Sequence, residues 1–298
     1  MTITVALAGD TMLGRGVAER LHEDPVTSLV GSEVVEFART ADLFVLNLEC
    51  CISERGERWP DPMKPFFFRA PPSAVELLSH LGVDCVTLAN NHALDFGEDA
   101  LLDTLKHLAD GGIAHVGAGE DQGAARAPVI LEARRERVAV IGASDHPAEF
   151  AAGPDSPGIA FADLRGGADW LPEAVAGIDA GTILVTPHWG PNMTPEPVPH
   201  VRAAADDLVA AGATLVAGHS AHVFHGVQGR VLYDLGDFLD DYAVDPVLRN
   251  DLGLLFVVTL DGEGPRRLEG LPLKLDFCMT RAADGEEATW IRDRFRAA

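Results

Sequence analysis

The sequence has no pair of cysteines at metal-ribbon spacing. Its four cysteines are Cys50, Cys51, Cys85 and Cys278, two of them adjacent. That pattern excludes a zinc knot and a disulfide framework, and reduced thiols are expected. Basic residues are scarce: 23 Lys and Arg stand against 46 Asp and Glu, for a formal charge of −23. Nucleic acid and anionic membrane surfaces both demand Lys/Arg patches, so neither is an expected partner. The acidic residues are dispersed, so most are solvated surface, and the excess suits a protein that holds cations. No run approaches the ~18 apolar residues of a membrane-spanning helix. The opening MTITVALAGD has neither a basic n-region nor a long apolar h-region and enters a strand at once. No signal peptide or membrane anchor is expected, and the cytoplasm is the expected compartment.

What is present is material for a core. Of the 298 residues, 47% are hydrophobic, enough for one large domain or two small ones. Short apolar runs of strand composition fall at 2–8, 42–48, 83–89, 114–116, 138–142, 182–187 and 213–217. Helical segments alternate with them at 17–21, 34–39, 98–108 and 200–211. A further helix is expected after Ser73, which is placed as an N-cap with Glu76 as its capping-box partner. Two more strands, within 254–277, are expected at an antiparallel edge. Strand–helix alternation predicts a single α/β domain over 1–298, with its motifs between 3 and 239. Residues 53–72 carry five prolines, Trp59 and Phe66-Phe67-Phe68. They predict an irregular segment folded against the body or over a pocket. Residues 148–158 are expected to form a surface loop. The proline-rich 191–199 segment is expected to line the same pocket as 55–68.

Five of the apolar runs end in a side chain able to bind metal: Asp10, Glu49, Asn91 with His92, His188, and His219 with His222. Singly, each has a plain explanation, since Asp caps helices, buried His is usually hydrogen-bonded, and Asn-Asn makes turns. Five in one topological position are a different matter, because carboxyl ends of sheet strands are where open α/β folds bind ligands. Carboxylate, amide oxygen and imidazole together suit borderline divalent ions such as Mn²⁺, Fe²⁺ or Zn²⁺. A shared Glu49 would bridge two ions about 3.5–4 Å apart, the spacing of two-metal hydrolytic sites. An unligated His beside the metals, such as His92, is what protonation of a leaving alkoxide needs.

These motifs together resemble a known family. They are Gly9-Asp10-Thr11-Met12-Leu13-Gly14-Arg15, Asn47-Leu48-Glu49, Ala89-Asn90-Asn91-His92-Ala93-Leu94-Asp95-Phe96-Gly97, His188-Trp189-Gly190, Gly218-His219-Ser220-Ala221-His222-Val223 and Tyr233-Asp234-Leu235-Gly236-Asp237-Phe238. In this order the chain is similar to capsule-synthesis proteins of the CapA type (poly-γ-glutamate synthesis, PGA_cap), which have a calcineurin-like metallophosphatase fold. The resemblance implies a four-layer α/β/β/α sandwich holding one or two divalent ions. It assigns Asp10 and His222 to one ion, Glu49 as bridge, and Asn91, His188 and His219 to the other. His92 becomes the acid, Asp95 its support, and Arg15 either a contact for an anionic substrate or an exposed structural residue.

The sequence also departs from the metallophosphatase pattern. Met12 stands where a histidine usually follows the first aspartate, Ser220-Ala221 where the repeat usually reads His-Pro, and Asp237 where Leu-Gly-Asn-Phe is common. His225 and Asp237 are candidates for the missing ligand, with surface or hydrogen-bonding roles as their alternatives. The expected function is metal-dependent hydrolysis of a phosphoester or an anionic polymer linkage, on a small-molecule or polymer substrate. Lewis-acid chemistry on a peptide or amide, such as epimerisation at Cα, is one alternative. A non-catalytic accessory role in capsule synthesis is the other.

Overall fold

Side chains alternate across the first strand, Ile3–Thr11, and both of its faces find apolar partners. Ile3, Val5 and Leu7 enter one core cluster, and Ala6 and Ala8 another. A strand covered on both faces reads as a continuous apolar run, which is the pattern the sequence carries here. The computed structural model describes residues 2–165 and 170–297. One sheet runs in the order Met279–Ala282, Gly264–Asp276, Leu252–Asp261, Ile3–Thr11, Leu43–Leu48, Cys85–Thr87, Ala114–Val116, with Asp237–Leu239 paired to the end of Ile3–Thr11. The second runs Val227–Gln228, Val231–Leu232, Leu215–Ala217, Thr182–His188, Glu136–Ser144, Val129–Ala133.

The sheets pack face to face, with Val5, Leu7 and Val45 meeting Val138, Val140 and Leu184 in a shared cluster. Phe44, Leu46 and Val86 on the outer face of the first sheet are covered by helices Arg15–Glu23, Ser32–Ala38, Ala74–Leu81 and Gly97–Asp110. Ile141, Ile183 and Val216 on the outer face of the second are covered by Leu171–Ala176 and Pro199–Ala210. The fold is therefore a four-layer α/β/β/α sandwich. Within each sheet the central strands run parallel, Ile3–Thr11 beside Leu43–Leu48 beside Cys85–Thr87, and Glu136–Ser144 beside Thr182–His188 beside Leu215–Ala217. Their carboxyl ends meet: Glu49 of the first sheet lies 3.8 Å from His188 of the second, and Asp10 lies 3.4 Å from His219.

Four sequence expectations are corrected. Ser73 makes no side-chain cap, because it sits in a helical conformation and the first N–H groups of the helix are taken by Pro71, Pro72 and Ser73 carbonyls. The run at 83–89 is a strand only over Cys85–Thr87, since the chain then leaves the sheet to place its amides. Residues 148–158 are a surface loop only in part: Ala148, Glu149, Ala151, Pro154 and Asp155 are exposed, but Phe150 is buried and packs on Trp59 with ring centroids 4.8 Å apart. The Leu252–Asp261 strand is interior rather than edge, flanked by Ile3–Thr11 and Gly264–Asp276, and Met279–Ala282 takes the edge. The helix Gly285–Ala297, which no sequence motif announces, packs Ile291 and Trp290 into the inter-sheet core.

Candidate metal centre

The site begins with close backbone approaches that only glycine permits. A Cβ on Gly9 would sit 1.7 Å from the Gly236 carbonyl oxygen, and one on Gly218 would sit 2.2 Å from that of Tyr233. These two contacts draw the segments carrying Asp10, His219 and Asp237 together. Asp10 N–H donates to the Gly236 carbonyl at 2.8 Å, and His188 bridges to His219 across the second sheet. The loop after Leu215–Ala217 holds Ser220 and His222 at φ of +112° and +60°, a left-handed backbone that non-glycine residues rarely adopt. Asp234 fixes it in that shape, accepting from Ala221 N–H at 2.8 Å and Gly236 N–H at 2.9 Å.

Asp10, Glu49 and His222 offer ligand atoms that all lie within 4.8 Å of one another. His222 Nδ1 is 3.4 Å from Asp10 Oδ2, and His219 Nδ1 is 3.4 Å from Asp10 Oδ1. Four buried atoms here have no hydrogen-bond partner: Glu49 Oε1, Asn91 Oδ1, His188 Nε2 and His219 Nδ1. Buried polar atoms are normally satisfied, and each left without a partner costs on the order of 1–3 kcal/mol. Four such atoms, all on residues assigned as ligands, are what a cation site leaves when its ion is not counted.

Charge gives the same answer. Asp10, Glu49, Asp234, Asp237 and Asp240 are all buried, and among the described residues none pairs with a Lys or Arg. Burial pushes Glu49 well above the usual carboxylate range, and the Asp10 charge adds to it. Burial likewise raises Asp240, to about 6. Asp10 goes the other way: burial would raise it, but the close His219 ring and the charges of His222 and His188 hold it low. Burial, reinforced by His146, holds His188 well below the ordinary imidazole range and thus neutral, the form that binds metal. So many carboxyls without cationic partners are not stable unless protonated or shared with a cation. The donor set fits divalent metal.

A cleft of ≈ 590 Å³ opens beside these residues, with His92, His222, Phe66, Phe68, Tyr242 and Arg15 among its lining. His92 Nδ1 is 2.7 Å from Asp95 Oδ2, and that carboxylate is locked from the proline-rich segment. Phe68 N–H donates to Asp95 Oδ2 at 2.6 Å, and Lys64 Nζ lies 3.0 Å from Asp95 Oδ1 while donating to the Asn91 carbonyl at 2.7 Å. The Phe68 ring covers the His92 imidazole at 4.1 Å. Burial lowers the proton affinity of His92, with Asp95 offsetting part of the loss. Arg15 reaches the cleft, but its guanidinium is bound by Asp241 and sits over Phe68, 4.8 Å from the ring centre.

The family model of bacterial capsule synthesis protein PGA_cap matches residues 4–242. The chain belongs to this family. It is 32% identical, over 98% of its length and 90% of the relative's, to a protein of Mycobacterium tuberculosis named "probable polyglutamine synthesis accessory protein". It is 28% identical to the capsule biosynthesis protein CapA of Bacillus anthracis, covering 80% of this chain and 60% of that one. Among solved structures it is similar to a hypothetical protein from Thermus thermophilus, at 16% identity and a TM-score of 0.52, over 91% of this chain and 99% of that one. A putative 5′-nucleotidase from Staphylococcus aureus superposes with a TM-score of 0.50 at 15% identity, over 99% of this chain and 58% of that one. At such identities the likeness is one of fold, and it places this PGA_cap chain on the metallophosphatase architecture.

Sequence reasoning missed several residues that build the site of this PGA_cap protein. Asn47 Nδ2 donates to Asp10 Oδ1 at 2.7 Å, and Asn90 Nδ2 donates to Asn47 Oδ1 and to the Leu48 carbonyl. Tyr242 O–H donates to Glu49 Oε2 at 3.2 Å. Asn47 lies inside a quoted motif, two residues before Glu49, where its strand alternation puts it on the same face. Lys64 and Tyr242 carry no such signal, because each arrives from an irregular segment.

Proposed function

We propose that this chain is a metal-dependent hydrolase acting on a phosphoester or a related anionic linkage. The observation carrying the reading is the His92–Asp95 pair, fixed by Lys64 and Phe68, on the wall of a cleft that also reaches His222. Asp10, Glu49, Asn91, His188, His219 and His222 would hold one or two ions, with Mn²⁺, Fe²⁺ or Zn²⁺ suiting the donors. When bound, such ions supply Lewis acidity toward the substrate and acidify water. The protein's own part is proton handling and orientation. With Nδ1 facing Asp95, Nε2 of the neutral His92 ring would take a proton from water entering the cleft, and the imidazolium would then give it to the leaving oxygen. Asp95 fixes the tautomer and stabilises the imidazolium, and Lys64 and Phe68 fix Asp95. The Phe68 ring, 4.1 Å from the imidazole, covers one side of that exchange.

After elemental analysis, the protein loaded with its own metal should hydrolyse members of a phosphomonoester and phosphodiester panel. His92→Ala should cut turnover by about 10²–10⁴-fold with metal content unchanged. Full turnover in that variant would remove His92 from the mechanism. The substrate is open to a second reading, an accessory role in capsule-polymer synthesis, which the names of the relatives favour. A formal charge of −23 works against direct binding of polyglutamate. Four free, buried thiols support a reducing, cytoplasmic setting, and no described helix is long and apolar enough to cross a membrane.

A further inference from the structure

We propose that Asp237 is itself a metal ligand, completing the ion position at which Met12 replaces the usual histidine. The inference rests on the metal reading above but not on the reaction. Met12 cannot serve there: it is fully buried in the apolar cluster beneath the helices, and its sulfur accepts the Gly14 N–H at 3.0 Å. Asp237 comes to the same place from a different strand. Asp237–Leu239 runs parallel to the end of Ile3–Thr11, and the pairing register sets Asp237 directly beside Asp10. The Gly236 turn, at φ of +74°, delivers it there.

The spacing is that of ligands sharing one ion. Atoms each about 2.0–2.2 Å from a metal, at angles between octahedral and tetrahedral, stand about 2.8–3.6 Å apart. Asp237 Oδ1 lies 2.8 Å from His222 Nδ1, and the same nitrogen lies 3.4 Å from Asp10 Oδ2. Asp237 is 2% exposed, and its Oδ2 has no hydrogen-bond partner. Its neighbour Asp240 likewise carries a buried Oδ2 without one. A carboxylate recruited merely to orient His222 would use one oxygen and have the other satisfied by a donor. Here the second oxygen has no donor, beside further buried carboxyls that must be protonated or share a cation. Asp237 thus adds a fourth candidate, joined through His222, to the Asp10, Glu49 and His222 group.

Metal uptake tests this directly. Metal-free protein is titrated with Co²⁺, and bound ions are counted after removing the excess. Asp237→Ala should lose one bound ion per chain relative to wild type, or weaken it by at least 100-fold, with the remainder unchanged. Asp237→Cys should give a thiolate-to-cobalt charge-transfer band in the near ultraviolet that wild type, with its four cysteines buried elsewhere, does not show. Wild-type stoichiometry and affinity within tenfold in Asp237→Ala, or cobalt uptake by Asp237→Cys without the band, would overturn the assignment. If wild type itself takes up no metal, the metal reading fails as a whole; absence of turnover in a metal-loaded protein fails only the hydrolase reading.

Discussion

At the scale of single residues, the centre is held by amides as much as by its ligands. Asn90 is the structural neighbour of the ligand candidate Asn91, and the geometry shows what it holds. Its Nδ2 bonds Asn47 Oδ1 at 2.9 Å and the Leu48 carbonyl at 2.8 Å, while its Oδ1 accepts His92 N–H at 3.0 Å. Through Asn47, which bonds Asp10, this chain of amides connects the first strand end to His92. Every link is buried, so cutting one leaves unsatisfied partners on both sides. Asn90→Ala should destabilise the protein by about 2–4 kcal/mol, the cost of two or more orphaned buried groups. Asn90→Asp is nearly isosteric yet should be at least as costly, because it turns the Nδ2 donor into an acceptor facing two acceptors. Urea unfolding of the two variants distinguishes lost hydrogen bonds from lost volume; a near-native Asn90→Asp would show that the amide orientation is not what matters.

At the scale of elements, the strands between the sheets depend on a helix that no motif announced. Gly285–Ala297 places Ile291 at 0% exposure, while Trp290 and Phe295 meet Phe224 with ring centroids 6.4 Å apart. Ile291→Ala should cost about 2–5 kcal/mol, the usual range for a buried large-to-small change, while metal content per folded chain stays at the wild-type value. Measured together, unfolding free energy and bound metal separate a core contribution from a site contribution. This helix also marks where the sequence was legible and where it was not. The parallel strands announced themselves, because a strand buried on both faces must be apolar throughout and must stop where the chain turns polar. The strand-end positions of Asp10, Glu49, Asn91, His188, His219 and His222 were therefore readable, as their convergence shows for all but Asn91, whose Oδ1 is placed only by its lack of a partner. Gly285–Ala297 was not readable, because it carries few buried residues among charged ones, and its burial comes from tertiary packing on the Leu252–Asp261 and Gly264–Asp276 strands and on Phe224. The segment before the Ala74–Leu81 helix was readable as irregular, but not as the source of Lys64 and Phe68 for Asp95. Those contacts are set by a loop path, and loop paths have no period.

At the scale of the whole molecule, the charge of −23 is mostly solvated surface, but its buried share decides how stability responds to metal and pH. Glu49, Asp234 and Asp237 are held well above the ordinary carboxylate range and Asp240 at about 6, in each case mainly by burial. A carboxyl with a raised folded pKa binds more protons folded than unfolded. Its contribution is complete below the unfolded value of 3.8 and is lost as pH rises through the folded value, about 6 for Asp240. Buried neutral imidazoles such as His188 act in the opposite sense over the same interval, so the raw pH profile mixes the two. Substitution separates them. In chelated protein, Asp240→Asn should become progressively more stable relative to wild type between pH 4 and pH 7, by a total on the order of 3 kcal/mol. With metal restored that gain should shrink, because a cation offsets the same carboxylate repulsion without protons. Metal bound at a thousandfold excess over its dissociation constant should itself stabilise the fold by about 4 kcal/mol. Melting curves with and without chelator, at pH 5 and pH 7.5, test both statements. Equal melting temperatures across all four conditions would mean that the buried carboxyls are balanced by something other than a cation.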